Sequence, residues 1–463
     1  MRLVRQDCGA CHGLSLQGGL GPALTAEALA GKGGETLAAV IAHGRPGTPM
    51  PPFASLLSTE EIAWIVERLQ QGFPPLPVGS SSRLSASGVG LVAAQERGTG
   101  DLGVVIERAS GSVLIVAYSK PEVLARVEGL GDLSHASVVF SRDQRFAYVF
   151  GRDGALTKLD LLRPGIVARV QQAGNSIGGA ISQDGRLVVA QNYEPGGIVA
   201  FDADDLHRVA EVPAKAGPDG KAAKVVGLAD LPGQRFAYAL FDAGEICVSD
   251  FSVPDAPRTE CAPAGRQPYD GLVTPDGRFY LAGLFGEDGV ALWDSWHPEV
   301  GVRRIIDGYG RGEAPLPVYK MPHLRGWAQA GERLFLPAIG RHEVLVVDRR
   351  DWRELGRVAV AGQPVFVMAR PDGREIWVNF ALPDNGRVQV IDAETLTVRD
   401  TLEPEQAVLH MEFTPKGDQV WVSCRDDDRV VVYDALTHRE RSRFMARSPS
   451  GIFFTYRATR FGM

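Results

Sequence analysis

The sequence predicts two parts, a small all-α domain followed by an all-β eight-bladed propeller. Three observations carry this. Helical apolar spacing and a complete capping box lie before residue 74. Beyond that, one phrase recurs seven times: a polar turn, an apolar strand, a second turn, and a strand ending in Asp. The composition agrees, with 54 glycines and only 8% aromatics. A chain of 463 residues, 44% of them hydrophobic, is long enough for more than one domain and a large core. The net charge of −7 gives no basic footprint for nucleic acid. No apolar run approaches the roughly 20 residues of a membrane span.

The first domain, residues 1–74, is organised around Cys8-Gly9-Ala10-Cys11-His12. This is C-x-x-C-H, the attachment signature of a c-type heme. Two thiols at this spacing reach the two vinyl groups along one porphyrin edge, and the histidine then ligates the iron. The competing readings are a redox C-x-x-C and half of a zinc site. A zinc site needs further Cys or His at close spacing, and a redox motif needs a βαβ context; neither follows here.

After a loop over Gly13–Leu24, Glu35–His43 reads as a short helix with Leu37, Val40 and Ile41 on one face. The Pro/Gly-rich stretch Gly44–Phe53 then presents Met50, at the distance from the motif where small cytochromes c supply a second axial ligand. His43 is the alternative ligand. A thioether would raise the heme potential, which suits electron transfer. A last helix starts at Ser58, because Ser58-Thr59-Glu60-Glu61 is a capping box. Its stripe of Ile62, Ile65, Val66 and Leu69 should pack on the heme edge. It ends at Gln71-Gly72, and residues 75–83, with their proline run and Gly79–Ser82, form a linker.

The propeller takes residues 84–463. Its turns include Ser141–Arg145, Ser182–Arg186, Leu231–Arg235, Thr274–Arg278, Ala330–Arg333, Arg370–Arg374 and Thr414–Asp418. The partner strands include Leu156–Leu161, Ile198–Asp202, Ile246–Asp250, Val290–Asp294, Val344–Asp348, Val388–Asp392 and Val430–Asp434. A spacing of about 40 to 56 residues is that of propeller blades. Strands at Gly103–Ile106, Val113–Tyr118 and Val123–Val127 precede the first copy, and Ile452–Tyr456 follows the last. An eighth blade built from both ends would remove the exposed sheet edge; seven blades is the alternative count.

Five cysteines are present. Beyond the heme pair, Cys247 and Cys261 either bridge in an oxidising compartment or stay as buried thiols, and Cys424 is left over. Covalent heme attachment normally takes place outside the bacterial inner membrane. The heme motif begins at residue 8, so the expectation is a periplasmic protein whose export signal is absent from this sequence.

A cytochrome c domain followed by an eight-bladed propeller resembles the cytochrome cd1 family, the nitrite reductases and their relatives in heme d1 biosynthesis. The resemblance covers nearly the whole chain. It is carried by Tyr148–Gly154 with Leu159–Leu161, by Gly417–Ser423, and by Ser448–Tyr456.

It implies a tetrapyrrole site. His135 stands where the reductases place the proximal iron ligand, in a loop one residue longer. Arg152 matches an arginine that clamps tetrapyrrole carboxylates, for which bidentate guanidinium pairing is the physical reason. Tyr193 matches a pocket tyrosine, and Arg325 would hold a second carboxylate. Of the two distal histidines of the reductases, the first is replaced by Tyr269 and the second is kept as His323. His410 has no reductase counterpart.

Nitrite reduction uses two proton donors over an open iron face, and the longer N-terminal arm of the reductases is missing. The chain is therefore more similar to the NirN-type dihydro-heme d1 dehydrogenases. That branch implies oxidation of a dihydro-heme d1 propionate to an acrylate as the last step of heme d1 biosynthesis, with electrons passing through heme c. His323 would be the base, with His410 and Tyr269 as alternatives. An external electron acceptor and a cytochrome cd1 nitrite reductase receiving the finished heme d1 are the implied partners. The alternatives are a nitrite reductase and a non-catalytic heme d1 carrier. His207, His297, His342 and His438 read as surface loop residues.

Overall fold

In the computed structural model, the described residues are 3–45, 48, 50–73, 84–85, 98–307, 326–338 and 341–457. The sequence-predicted site residues His323 and Arg325, and the stretch 75–83, lie outside them.

Val4–Cys8 forms a π-helical segment that runs into the helix Gly9–His12. Short helix Ala26–Leu29 follows, then Gly34–His43 and Thr59–Gln71. The capping box forms in full. The Glu61 amide donates to Ser58 Oγ, and the Ser58 amide donates to Glu61 Oε2 at 2.8 Å. This satisfies two amides that the helix cannot pair internally. Ile62, Ile65, Val66 and Leu69 are all buried. Ile65 and Leu69 pack with Val4, Leu16 and Leu29, so the last helix closes on the heme-bearing segment.

The rest of the chain makes eight sheets, among the described residues, and the order is that of a closed ring. The first blade pairs Leu102–Glu107, Ser112–Ala117 and Glu122–Val127 with the chain's last strand, Pro449–Phe454. Gly103 lies opposite Phe454 and Val105 opposite Ile452. Both ends of the region therefore share one sheet, and the edge that an open ring would expose is paired. The next seven blades are each a four-stranded antiparallel meander. Their innermost strands are Ser137–Phe140, Asn175–Ile181, Val225–Leu231, Pro268–Val273, Ala328–Ala330, Pro364–Ala369 and Val408–Phe413.

The repeated phrase has a physical explanation. The Asp that ends each third strand accepts the amides of the next turn through its own carboxylate. Asp160 does so from Leu162 and Arg163, Asp392 from Glu394 and Thr395, and Asp434 from Leu436 and Thr437. The turn between first and second strands needs one left-handed residue. Gly185, Gly277, Gly373 and Gly417 supply it with φ of 69 to 77°, while Gln144 adopts it at 62°.

Burial falls outward across each blade. The second strands Glu375–Phe380 and Gln419–Cys424 are buried at every position, whereas the outer strand Thr397–Leu402 alternates between exposed and half-buried. Inner strands have a neighbouring blade on both faces; outer ones have water on one.

Cys247 and Cys261 face each other on adjacent strands and form a disulfide. His438 departs from the surface position expected of it. Its ring is wedged between Asp400, 3.0 Å from Nδ1, and Glu375, 3.2 Å from Nε2, against the Trp377 ring. These partners come from the preceding blade, so the turn sequence around His438 carries no trace of them. His207 and His297 are exposed, as expected.

Candidate functional site

Each innermost strand begins, and each second strand ends, at the same rim of the ring. That antiparallel geometry gathers residues distant in sequence. His135 sits half-buried in the turn before Ser137–Phe140, Asn175 opens the third blade's inner strand, and Tyr269 lies near the start of the fifth's. Tyr193 is the last residue but one of the second strand Leu187–Glu194, while Arg108, Arg152, Phe241, Phe285 and Arg425 follow second strands.

The cytochrome domain lies on this rim. Asn175 Nδ2 donates to the carbonyl of Gly18 at 3.2 Å. Leu20 packs against a buried cluster that includes Ile177, Tyr193, Phe241, Tyr269 and Phe285.

The heme motif is arranged for its ligand. His12 is buried, and its Nδ1 lies 2.6 Å from the carbonyl of Pro22. A carbonyl can only accept, so Nδ1 carries the proton and Nε2 keeps its lone pair. Burial, above all, holds the imidazole below its ordinary pKa and hence neutral. Gly21 lies against that ring, where a Cβ would come within 2.6 Å of Cε1. Neither Cys8 nor Cys11 is in a disulfide. Two thiols and a preset imidazole nitrogen are the donor set of one covalent heme c.

Met50 is half-buried in a loop closed by the Arg45 amide donating to its carbonyl at 3.0 Å. His43 is exposed at the end of its helix.

Arg152 is 3% exposed, yet its Nε and Nη2 have no hydrogen-bond partner among the described residues. Its guanidinium lies over the Tyr193 ring, 5.2 Å from the centroid. On the other side sits Gly19, where any Cβ would strike Arg152. A buried guanidinium with two idle donors is costly unless an anion completes it.

The Tyr193 and Tyr269 hydroxyls are 3.2 Å apart, and Phe241 meets Tyr269 edge-on at 5.9 Å. Burial pushes the Tyr193 phenol up to about 12 and Tyr269 well above its usual value. Both are therefore neutral hydroxyls at physiological pH.

His410 is deeper, on the eighth blade's inner strand between Phe366 and Phe453, with ring centroids at 4.9 and 5.6 Å. Its Nδ1 accepts from the Ile452 amide at 3.3 Å, which leaves the proton on Nε2. The structure thus brings Arg152, Tyr193 and Tyr269 together under the heme loop, with His135 on the same rim and His410 inside the channel.

Sequence reasoning missed Asn175, Phe241, Arg108 and Arg425. A signal existed for the arginines: Arg108, Arg152 and Arg425 each follow a second strand by one or two residues.

Residues 1–67 match the family model of cytochrome c oxidase, cbb3-type, subunit III. Protein NirF of Stutzerimonas stutzeri is 60% identical over 384 residues, 82% of this chain and 98% of that protein. Dihydro-heme d1 dehydrogenase of Pseudomonas aeruginosa is 32% identical over 470 residues, 97% of this chain and 92% of that protein. The first domain has a relative of its own. Cytochrome c55X of the same species is 61% identical over 70 residues, 15% of this chain and 59% of that protein. A solved dihydro-heme d1 dehydrogenase, NirN, in complex with DHE superposes with a TM-score of 0.68 at 29% identity, covering 99% of both chains. Residues 97–458, most of the chain and all eight blades, match the cytochrome D1 heme domain, and the chain belongs to that family.

Proposed function

We propose that this protein acts in heme d1 biosynthesis, binding dihydro-heme d1 in the propeller and dehydrogenating one propionate side chain to an acrylate. The observation that carries the reading is Arg152, a buried guanidinium with two idle donors beneath the heme c loop. A tetrapyrrole carboxylate supplies the missing partner in bidentate form. The likeness to a dehydrogenase over nearly the whole chain supports the choice of reaction.

Converting –CH2–CH2–COO⁻ to –CH=CH–COO⁻ releases two electrons and two protons. Heme c would be held by Cys8, Cys11 and His12, with Met50 as a further ligand, and would supply one-electron acceptance. The reaction balances with two one-electron transfers to an external acceptor and release of both protons to solvent, at least one of them by way of the base.

Arg152 holds the carboxylate and so fixes the side chain whose C–H bonds break. His135 ligates the substrate's iron. Tyr193 and Tyr269 keep their protons, so they act as hydrogen-bond donors and not as bases. His410 presents a protonated Nε2 and is a donor as well. That leaves His323 as the base and Arg325 as the second carboxylate partner, both assigned from sequence.

The wall formed by Tyr269 also argues against nitrite reduction, which needs a readily exchanged proton at that position. Periplasmic residence follows from covalent heme attachment, and the Cys247–Cys261 disulfide is in keeping with an oxidising compartment.

A second reading has its own support. It is a non-catalytic carrier that delivers heme d1 to a cytochrome cd1 nitrite reductase: identity to Protein NirF is 60% over 384 residues, against 32% over 470 residues to the dehydrogenase, so the likeness to a named enzyme is the weaker of the two.

One experiment separates the two. The holoprotein is incubated with dihydro-heme d1 and an electron acceptor, and the extracted tetrapyrrole is weighed by mass spectrometry. A product lighter by two hydrogens, formed as heme c is reduced, is expected. Unchanged tetrapyrrole that transfers intact to a reductase would establish the carrier instead. Arg152→Gln should weaken tetrapyrrole binding without altering the heme c spectrum.

A further inference from the structure

Arg425 and Asp7 have no place in the chemistry above, yet both are deeply buried. Arg425 is 2% exposed, and its Nη2 lies 3.6 Å from Asp7 Oδ2, on a side chain 5% exposed. Arg425 also forks Asp426, through Nε at 2.6 Å and Nη2 at 3.3 Å, so the guanidinium that faces Asp7 is held in place by its own neighbour. Asp7 is the residue before Cys8, so this ion pair ties the heme-bearing segment to the eighth blade.

A second buried cation also feels the charge of this acid. Arg108, on the first blade, is pushed down to about 9, first by burial and then by the Arg425 charge, and Asp7 is the largest opposing influence. Two blades along the ring from Arg425, the same domain presses Gly19 against Arg152, and Gly19 has no room for a side chain because Arg152 and the Cys11 carbonyl occupy it. With the Tyr193 ring on its other side, Arg152 is clamped with Nε and Nη2 unused.

We propose that the Asp7–Arg425 pair latches the cytochrome domain onto the propeller rim, and that this docking presets Arg152 for the tetrapyrrole carboxylate. The inference rests on the tetrapyrrole-binding reading above. It makes domain docking and tetrapyrrole affinity reciprocally coupled: what loosens one weakens the other by the same factor. Neither latch residue has a role in the chemistry above, so each is a positioning residue. Breaking the pair costs most on the Asp7 side, whose carboxylate stays buried while Arg425 keeps Asp426; an exposed pair would contribute little.

The test uses the full-length holoprotein and the variants Asp7→Asn and Arg425→Gln, which break the pair from opposite domains. Small-angle scattering reads docking without any tetrapyrrole, the heme c absorption spectrum checks folding of the first domain, and absorbance titration with dihydro-heme d1 reads affinity. Both variants are expected to show a larger radius of gyration and an affinity reduced about fivefold or more. Compact scattering and wild-type affinity in either variant would overturn the latch. Expanded scattering with wild-type affinity would overturn the coupling. A wild-type protein that binds no tetrapyrrole sinks the functional reading instead, and the scattering arm still decides the latch.

Discussion

The two halves of this protein hold themselves together in opposite ways. The propeller buries whole strands: Asn175–Ile181, Glu375–Phe380 and Gln419–Cys424 are covered at every residue, and Trp377 and Trp421 are wholly enclosed. The first domain has no such reserve. Its helix Gly34–His43 contains no buried residue, and its buried apolar residues are Val4, Leu14, Leu16, Leu29, Phe53, Ile62, Ile65, Val66 and Leu69, with a few half-buried neighbours. A domain of about 70 residues draws only a small margin of stability from burial. Its order depends on what it holds and what it rests on, the heme and the propeller rim. The proposed tetrapyrrole site sits where the self-sufficient half meets the dependent one.

The largest effect that would sharpen this contrast is loss of the heme. Cys11→Ser should abolish stable covalent attachment and unfold the first domain, while the propeller's thermal transition stays in place. Calorimetry with a heme stain of the denatured chain checks both; a first domain that melts as before would break the contrast.

Next is Trp377→Ala. Trp377 packs against Phe413, Tyr433 and His438, and its truncation should cost the propeller about 3–5 kcal/mol with the heme c spectrum unchanged. Denaturant unfolding followed by tryptophan fluorescence reads it.

A smaller effect comes from the buried phenols. The folded pKa of Tyr193 lies near 12, above the usual 10. Above pH about 10 the unfolded chain releases this proton while the folded one keeps it. The stability linked to it is therefore complete below about 10 and is lost as pH rises towards 12. Tyr193→Phe should flatten that decline, as seen in melting temperature against pH.

The smallest is Ser58→Ala, which removes one cap and should cost the first domain about 1 kcal/mol. Its thermal transition should fall slightly and the propeller's should not move.

Much of the architecture was legible because its causes are local. C-x-x-C-H needs only a fixed spacing. The Ser58–Glu61 capping box closes within four residues. Each Asp of the repeated phrase captures the amide two residues on, and Asp160, Asp202, Asp392 and Asp434 the next one as well, so the blades announce themselves in sequence. Closure by Pro449–Phe454 was also foreseeable, since an unpaired edge has only the chain's other end to pair with. His438 was misjudged because Glu375 and Asp400 reach it from another blade.

The sequence alone therefore determined the heme attachment set, the repeat and the ring. It also offered Arg152, Tyr193 and Tyr269 as separate candidates. Only the tertiary structure decided that Tyr193 and Tyr269 share a hydrogen bond, that Gly19 backs Arg152, and that Asp7 meets Arg425. The physical reason is range. Turn and helix chemistry is settled within a few residues along the chain, whereas these contacts join positions from about 76 to 400 residues apart and exist only once the ring has closed.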